Sequence, residues 1–241
     1  MCTVTIFPKN NNGFVLTSNR DEAPNRVSVV PEFYNVDNVK TLFPKDEQSG
    51  GTWIGVSEKN RLICVLNGGF KLHERKAAYR KSRGVVAKDF MVSTSILSTI
   101  KVYDLEGIEP FTMVIADWDR DLQFIELVWD GIEKHVSELP LEPKLWSSTT
   151  LYNEDMKAER QQWFKEFKTE NELNAKSIMA FHKEGGGNNK DYGVVMNRGF
   201  VKTTSITQVE KQGDFIGMSY ENLHDGTLAN KRFSLQQIVN G

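Results

Sequence analysis

The first two dozen residues contain two short apolar runs on either side of a turn, which is the pattern of a β-hairpin. Residues 3–7 and 14–17 are apolar or β-branched, and residues 10–13 read Asn-Asn-Asn-Gly. Asparagine and glycine tolerate the left-handed backbone that tight hairpin turns require. The second run leads into Asn-Arg-Asp-Glu at 19–22, and Cys2 precedes the first run. The hairpin is therefore expected to bring a thiol, an arginine and two carboxylates close together.

Further pairs of apolar runs repeat this pattern along the chain. Residues 50–57 and 61–67 predict a second hairpin that turns at 58–60, and residues 111–116 and 122–129 predict a third. The run at 61–67 is almost wholly apolar, which indicates a strand covered on both faces. Shorter strands are predicted at 132–136, 200–208 and 215–220. Strands joined by hairpins form antiparallel sheets.

Helical patterns occur between these groups of strands. Val86, Phe90 and Leu97 share one face of a helix that begins near Ser82. Asn153 is a good N-cap, because acidic residues follow it in the first turn. The three predicted helices span residues 82–101, 153–168 and 174–183.

This order of elements predicts an α+β fold in which two antiparallel sheets pack face to face with helices outside. No internal repeat or Pro/Ser-rich linker divides the sequence, so residues 1–241 are expected to form a single domain. Residues 23–48 contain three prolines and predict a long loop that forms one wall of a pocket. A polar tail is expected after the strand at 215–220, and Gly-Gly-Gly at 185–187 is read as a linker within the domain.

Composition excludes several classes of function. The net charge of −2 gives no reason to expect nucleic acid as a partner, and no apolar run is long enough for an integral membrane segment. The N-terminus lacks a signal-peptide pattern, so the expected location is cytoplasmic. The two cysteines do not make a disulfide framework, and the four histidines lack metal-ligand spacing. No metal and no organic cofactor are expected, and nothing in the sequence indicates an oligomeric state.

Cys2 has a chemical property that depends on its position. Initiator methionine is generally removed before a small residue, and the mature chain would then begin with the free amine of Cys2. That amine has a pKa near 8 in model compounds and can accept the proton of its own thiol. Arg20 favours the thiolate, Asp21 can hold the amine, and Asn67 can donate its side-chain amide to an oxyanion. The alternatives without a functional site are that a cysteine occurs at position 2 by chance and that residues 19–22 form a solvated turn.

Cys2 and four motifs in the same order resemble the NRDE family, which includes the transport and Golgi organisation 2 proteins. The motifs are Asn-Arg-Asp-Glu at 19–22, Gly-Gly-Thr-Trp-Ile-Gly at 50–55, Leu-Asn at 66–67 and Ser-Arg-Gly at 82–84. The family in turn resembles the N-terminal nucleophile hydrolases of the choloylglycine hydrolase and penicillin V acylase type. That resemblance implies a four-layer αββα fold and cleavage of linear amide C–N bonds. Its catalytic residues would be Cys2, Arg20, Asp21 and Asn67.

Three positions depart from the pattern that this resemblance implies. Ser148 stands where an asparagine that donates to the oxyanion is expected, and Lys202 stands where an arginine is expected. A hydroxyl is shorter than an amide, and lysine lacks the bidentate fork of arginine. Gly68 follows Asn67 where the family commonly has an aromatic residue. The candidates for substrate or oxyanion binding are Asn19, Trp53, Arg83, Ser148 and Lys202.

Two functions of different classes fit these residues. The first is an amidohydrolase in which Cys2 attacks a small-molecule amide and forms a thioester. The second is a binding or carrier protein that keeps the fold and the pocket for an acyl, lipid or haem-like ligand, without turnover. A structural role in an assembly is a third possibility, for which the sequence has no positive feature. Cys64, within an apolar run, is expected to be a buried core residue.

Overall fold

The computed structural model describes residues 3–234, which contain thirteen strands and four helices. The strands are β1 (Thr3–Lys9), β2 (Gly13–Glu22), β3 (Ser28–Val36), β4 (Val39–Asp46), β5 (Ile54–Ser57), β6 (Arg61–Asn67), β7 (Phe111–Asp117), β8 (Gln123–Trp129), β9 (Lys134–Leu139), β10 (Lys144–Ser147), β11 (Lys202–Gln212), β12 (Phe215–Asn222) and β13 (Leu228–Ser234). The helices are α1 (Arg83–Val92), α2 (Ile96–Val102), α3 (Glu154–Glu170) and α4 (Ala175–Glu184).

The strands form two antiparallel sheets. The six-stranded sheet has the order β10-β1-β2-β11-β12-β13, so that β1 and β2 lie among strands from the C-terminal half of the chain. The seven-stranded sheet runs from β3 to β9 in sequence order. Short connections join most neighbouring strands of the second sheet, but the connection from β6 to β7 carries α1 and α2.

Side-chain alternation along the first hairpin shows how the layers stack. Val4, Phe14 and Leu16 belong to a core shared with the seven-stranded sheet and with α1 and α2. Phe7 and Val15 point the other way, into a second core with α3 and α4. Both faces of the six-stranded sheet are therefore buried, and the layers follow the order helix, sheet, sheet, helix. The prediction of an α+β fold with four αββα layers is confirmed.

The opening hairpin forms where the sequence predicts it. Asn11 and Asn12 have positive φ angles of 59° and 54°, which suit a tight turn between twisted strands. The second strand is longer than predicted, because β2 continues through residues 19–22. Asn19, Arg20 and Asp21 are at most 2% exposed. The interpretation of this stretch as a solvated turn is wrong.

The second predicted hairpin is confirmed as β5 and β6, and all residues of β6 except the last are buried. The helices at 153–168 and 174–183 are confirmed as α3 and α4. Each begins after an asparagine whose side chain accepts a backbone N–H, Asn153 from Met156 and Asn174 from Ser177.

The single helix predicted at 82–101 is wrong, since it divides into α1 and α2. Arg61 explains the break: its guanidinium donates to the carbonyl oxygens of Phe90 (3.0 Å) and Ser93 (2.6 Å), which ends α1. After the break, a different set of helical positions points to the core. Leu97, expected beside Phe90 in the core, is 53% exposed.

The long loop predicted at 23–48 is also wrong, because most of it forms β3 and β4. Asp37 and Asn38, with φ angles of 50° and 63°, make the turn between them. β3 lies at the edge of its sheet, and Pro31 falls where its register shifts between Val29 and Glu32. An edge strand tolerates proline at such an irregularity, since no ladder hydrogen bond is lost there.

Two further strands were not predicted. β10 is short, and β13 lies where a polar tail was expected. β13 is the other edge of the six-stranded sheet, and most of its residues are exposed or half-buried. Edge strands of this kind carry polar side chains, so their composition resembles that of a loop. Among the described residues, no helix has the length and hydropathy needed to cross a membrane.

Candidate functional site

The alternation of β2 sends its polar residues to two different layers. Arg20 points between the two sheets, where its guanidinium lies over the ring of Trp53 at 4.7 Å. Asn19 and Asp21 point to the other face, towards the outer layer that contains α3 and α4. The motif at 19–22 is thus one strand segment whose side chains point into two different layers of the fold.

Arg20 is held by several acceptors. Its Nη2 donates to Asp46 Oδ2 at 2.6 Å, and its Nη1 donates to the Arg26 carbonyl at 3.2 Å. Asp46 also accepts from Arg26 and from Ser49. Burial lowers the pKa of Arg20 from its ordinary value, while Glu22 and Asp46 oppose this. Burial favours the neutral form of Asp46, but hydrogen bonds from Arg26 and Ser49 outweigh it and hold that pKa below its ordinary value.

Asp21 is bound by a hydroxyl on each oxygen. Tyr152 donates to Oδ2 at 2.7 Å, and Thr203 of β11 donates to Oδ1 at 2.6 Å. The carboxylate is 2% exposed. Its orientation is therefore fixed by groups on two distant parts of the chain.

Asn19 connects β2 to α4. Its Nδ2 donates to the carbonyl oxygens of His182 (3.0 Å) and Val194 (2.7 Å), and its Oδ1 lies 2.6 Å from His182 Nδ1. Burial, with a smaller contribution from Arg160, lowers the pKa of His182 to about 3, so the ring is neutral. All polar atoms of the Asn19 side chain are engaged in this outer layer, and Asn19 does not line the cavity described next.

A cavity of about 440 Å³ opens beside Arg20. Four of the predicted site residues line it, namely Arg20, Trp53, Asn67 and Arg83. The other charged residues in its wall are Glu22, Arg26, Asp46, Arg75, Lys81 and Glu109. Arg83, the first residue of α1, pairs with Glu109 at 3.1 Å. Burial lowers the pKa of Arg83 from its ordinary value.

Asn67 and Ser148 lie together where β6 and β10 end. Ser148 Oγ donates to the Asn67 carbonyl at 2.8 Å, and Thr149 Oγ1 donates to the Gly69 carbonyl at 2.7 Å. Gly68, between Asn67 and Gly69, has a φ of +86°, a backbone conformation that favours glycine. Within residues 3–234 the side-chain amide of Asn67 makes no hydrogen bond, so it is available to a group in the cavity.

Besides Asn19 and Asp21, three further predicted site residues lie outside this cavity wall or beyond the described structure. Lys202 is the register partner of Glu22 but contacts His224 Nδ1 at 3.2 Å. Ser148 contacts Asn67 without lining the cavity. Cys2 lies outside the described residues. Thr3, to which Cys2 is bonded, pairs with Asn19 of β2 and with Ser147 of β10.

Several residues of this region were missed by the sequence interpretation. Asp46 ends a strand that was taken for a loop. Tyr152 has no local pattern that indicates a site. Arg160 had a signal, because it lies four positions from both Met156 and Phe164 on the apolar stripe of α3. A charged residue at that position in a helix indicates a buried polar contact.

Cys64 is the other thiol of the chain. It is fully buried, and burial raises the pKa of its thiol to about 12. The prediction of a core cysteine is confirmed. Among residues 3–234, no group of three or more histidine, cysteine or acidic side chains could hold a metal ion.

Two solved structures of remote sequence share this fold. Penicillin V acylase from Agrobacterium tumefaciens aligns with a TM-score of 0.56 and 10% identity, over 95% of this chain and 85% of that one. A variant of conjugated bile acid hydrolase from Clostridium perfringens aligns with a TM-score of 0.53 and 9% identity, over 98% and 97% of the two chains. At these identities the likeness shows the fold alone. It confirms the predicted resemblance to N-terminal nucleophile hydrolases.

Sequence comparison gives the family. The Transport and Golgi organization 2 homolog of Mus musculus is 31% identical over 114 residues. That match spans 45% of this chain and 40% of the mouse relative's length. A profile of the Transport and Golgi organisation 2 family matches residues 1–177, which is most of the chain, and the protein therefore belongs to that family.

Proposed function

We propose that this protein is an N-terminal-cysteine amidohydrolase that cleaves a linear amide C–N bond through a thioester. One observation carries the proposal: Arg20 and Asn67 line the same cavity, and Arg20 belongs to β2, which pairs with the strand that begins one residue after Cys2. Thr3 pairs with Asn19, and β2 continues past that level through Arg20 and Asp21. Thr3, the residue bonded to Cys2, therefore lies beside the segment of β2 that carries the proposed partner residues.

The reaction has two steps once Met1 is removed. In the first, the Cys2 sulfur bonds to the amide carbonyl carbon, and the thiol proton passes to the free α-amine. The C–N bond then breaks, and the leaving amine takes that proton. In the second, water attacks the thioester, the C–S bond breaks, and the products are a carboxylic acid and the regenerated thiol. No redox step or cofactor enters this balance.

The roles of the other residues follow from their contacts. The free side-chain amide of Asn67 is the proposed oxyanion donor. Arg20 supplies positive charge near the thiolate, although Asp46 neutralises part of it at 2.6 Å. Asp21 holds the amine of Cys2. Trp53 and Arg83 are proposed to contact the substrate from the cavity wall, and Ser148 fixes the backbone of Asn67. Lys202 and Asn19 are given no direct role.

A second candidate function is a non-catalytic carrier for an acyl, lipid or haem-like ligand. The specific observation in its favour is that the Ser148 hydroxyl donates to the Asn67 carbonyl. That proton is then not directed at an oxyanion, which leaves Asn67 as the single proposed donor from this pair. We further propose that residues 1–241 act as one domain in the cytoplasm, with a small-molecule ligand. The two cores that share the six-stranded sheet support a single domain.

Intact mass and probe labelling test the two functions. The hydrolase requires that purified protein has lost Met1, and retention of Met1 would exclude activation of Cys2 by its own amine. A thiol-reactive amide mimic should label the native protein, should label Cys64→Ser equally, and should fail on Cys2→Ser. Equal labelling of Cys2→Ser would exclude Cys2 as the nucleophile. For the carrier, mass spectrometry of an organic extract of the purified protein should find an apolar molecule at near-stoichiometric amount.

A further inference from the structure

Tyr152 lies in the loop after β10 and is 1% exposed. Its hydroxyl donates to Asp21 Oδ2 at 2.7 Å, across 131 positions of sequence. Two guanidinium groups lie near its ring: the Cζ of Arg160 is 4.0 Å from the ring centroid, and that of Arg198 is 5.5 Å from it. Tyr152 thus has a carboxylate at its oxygen and two cations at its ring.

Arg160 is fully buried, and its hydrogen bonds go to neutral acceptors. Its Nε donates to Ser147 Oγ at 2.9 Å, its Nη1 donates to the carbonyls of Tyr192 and Gly193, and its Nη2 donates to Thr3 Oγ1. Among the described residues no carboxylate lies within ion-pair distance of its guanidinium. A buried charge without a direct counter-ion is costly, so its interaction with the Tyr152 ring is a significant part of its stabilisation.

This geometry connects the start of β1 to Asp21 through two side chains. Arg160 binds Thr3, the residue bonded to Cys2, and it also lies against Tyr152, which binds Asp21. A cation over the ring draws electron density from the phenol and makes its O–H a stronger donor to a carboxylate. The same guanidinium therefore fixes the first described residue of β1 and strengthens the hydrogen bond that orients Asp21.

We propose that Tyr152 is a positioning residue that orients the Asp21 carboxylate towards the N-terminal amine of Cys2, with Arg160 holding the phenol in place. The inference rests on the proposed function, because it assigns Tyr152 a role in the proton relay of Cys2. Thr203 donates to the other oxygen of Asp21, so each hydroxyl fixes one side of the carboxylate. Without the hydrogen bond from Tyr152, the Asp21 carboxylate interacts more strongly with the protonated amine of Cys2. The amine then gives up its proton only at higher pH.

The alkylation rate of Cys2 by iodoacetamide, followed by mass spectrometry from pH 5 to 9, tests this without a known substrate. Tyr152→Phe keeps the ring against Arg160 and removes only the hydroxyl. We expect its rate at pH 7 to fall about tenfold and its pH midpoint to rise. Tyr220→Phe is the matched control, since Tyr220 is 2% exposed and its hydroxyl bonds Ser28 at 2.9 Å. The control should keep the wild-type rate and midpoint. A merely structural role predicts that both variants lose stability and keep the wild-type pH profile.

A double-variant cycle shows whether Tyr152 acts through Asp21. If it does, Tyr152→Phe combined with Asp21→Asn should alkylate within about twofold of Asp21→Asn alone, because coupled residues are not additive. Independent effects that multiply would overturn the inference. So would a wild-type rate and pH midpoint in Tyr152→Phe, and that result would leave the proposed function intact. The proposed function itself fails if wild-type Cys2 reacts no faster when folded than in urea, and the inference then fails with it.

Discussion

Asn19 and Arg20 are consecutive residues of β2 whose side chains lie on opposite faces of the six-stranded sheet. Asn19 bonds to α4 through His182, and Arg20 points between the sheets to Asp46 and Trp53. The strand thereby anchors the outer helical layer with one residue and builds the cavity with the next. Substitutions at the two positions should therefore have different consequences.

Asn19→Ala should destabilise the fold and leave the cavity unchanged. It removes the two donated hydrogen bonds to the carbonyls of His182 and Val194 and leaves His182 Nδ1 without its partner. We expect a loss of about 2–4 kcal/mol in the free energy of unfolding, measured in urea. Below the unfolding transition, the alkylation rate of Cys2 should equal that of wild type. A slowed rate in a variant of wild-type stability would instead place Asn19 in the site.

Arg20→Lys should affect both stability and Cys2. Lysine keeps the charge but cannot reproduce the contacts with Asp46, the Arg26 carbonyl and the Trp53 ring. We expect a loss of about 1–3 kcal/mol and slower alkylation of Cys2 at pH 7. Arg61→Lys is the control. Arg61 is 1% exposed and pairs with Asp117 at 2.7 Å, at the far end of β6 from Asn67. It should lose similar stability and keep the wild-type rate, and equal slowing in both variants would contradict a specific role for Arg20.

The parts of the fold that the sequence predicts well have local signals. The turn at 10–13 is one case, since asparagine and glycine there determine the backbone conformation directly. β3 and β13 had no such signal. Both are edge strands with mixed polar composition, and Pro31 in β3 is tolerated only because of its place in the sheet. Which strands become edges depends on the whole topology, so composition alone predicted a loop and a tail.

The site could be predicted only as a set of residues, not as an arrangement. Arg20 and Asn67 occur in motifs near the ends of apolar runs, which drew attention to both. Whether Asn19 or Arg20 faces the cavity depends on strand register, because a shift of one residue exchanges the two faces. Tyr152 was not predicted, since its contact with Asp21 spans 131 positions and has no local pattern.

Cys64 should not react with iodoacetamide in the folded protein. Its thiol is fully buried with a pKa raised to about 12, so almost no thiolate is present at pH 7.5. Folded Cys2→Ser should therefore take up no iodoacetamide, and the same variant in urea should take up one equivalent. Mass spectrometry counts the adducts. Uptake by the folded variant would show that the core around Cys64 opens, and alkylation of wild type could then not be assigned to Cys2 by mass alone.

His182 should make stability depend on pH. Its pKa is lowered to about 3 in the folded state, while an unfolded histidine titrates near its ordinary value of 6.5. Between these values the unfolded chain binds a proton that the folded chain does not. The contribution of His182 to the free energy of unfolding is therefore complete above pH 6.5. It decreases by about 1.4 kcal/mol per pH unit as the pH falls towards 3.

Urea unfolding at pH 7, 6 and 5 measures this slope. His182→Gln should be less stable at pH 7, because it loses the partners Asn19 and Thr5, and should show a shallower decline with acid. His224→Gln, at an exposed position, should keep the wild-type slope. Parallel slopes for wild type and His182→Gln would contradict the assignment.

Gly68→Ala should distort the connection between Asn67 and Ser148. A Cβ on Gly68 would lie 3.1 Å from Thr150 Cγ2 and 3.2 Å from Thr149 Cβ, and the φ of +86° is itself strained for alanine. Gly199→Ala isolates the strain, because Gly199 has a φ of +79° with no atom within 4 Å of the added Cβ. We expect a cost of about 1–2 kcal/mol for Gly199→Ala and a larger one for Gly68→Ala. Slower Cys2 alkylation should accompany Gly68→Ala alone, since displaced Thr149 and Thr150 move the backbone that carries Asn67. Equal losses of stability and unchanged alkylation in both variants would show that Thr149 and Thr150 move aside without an energetic penalty. They would also show that the position of Asn67 does not depend on these threonines.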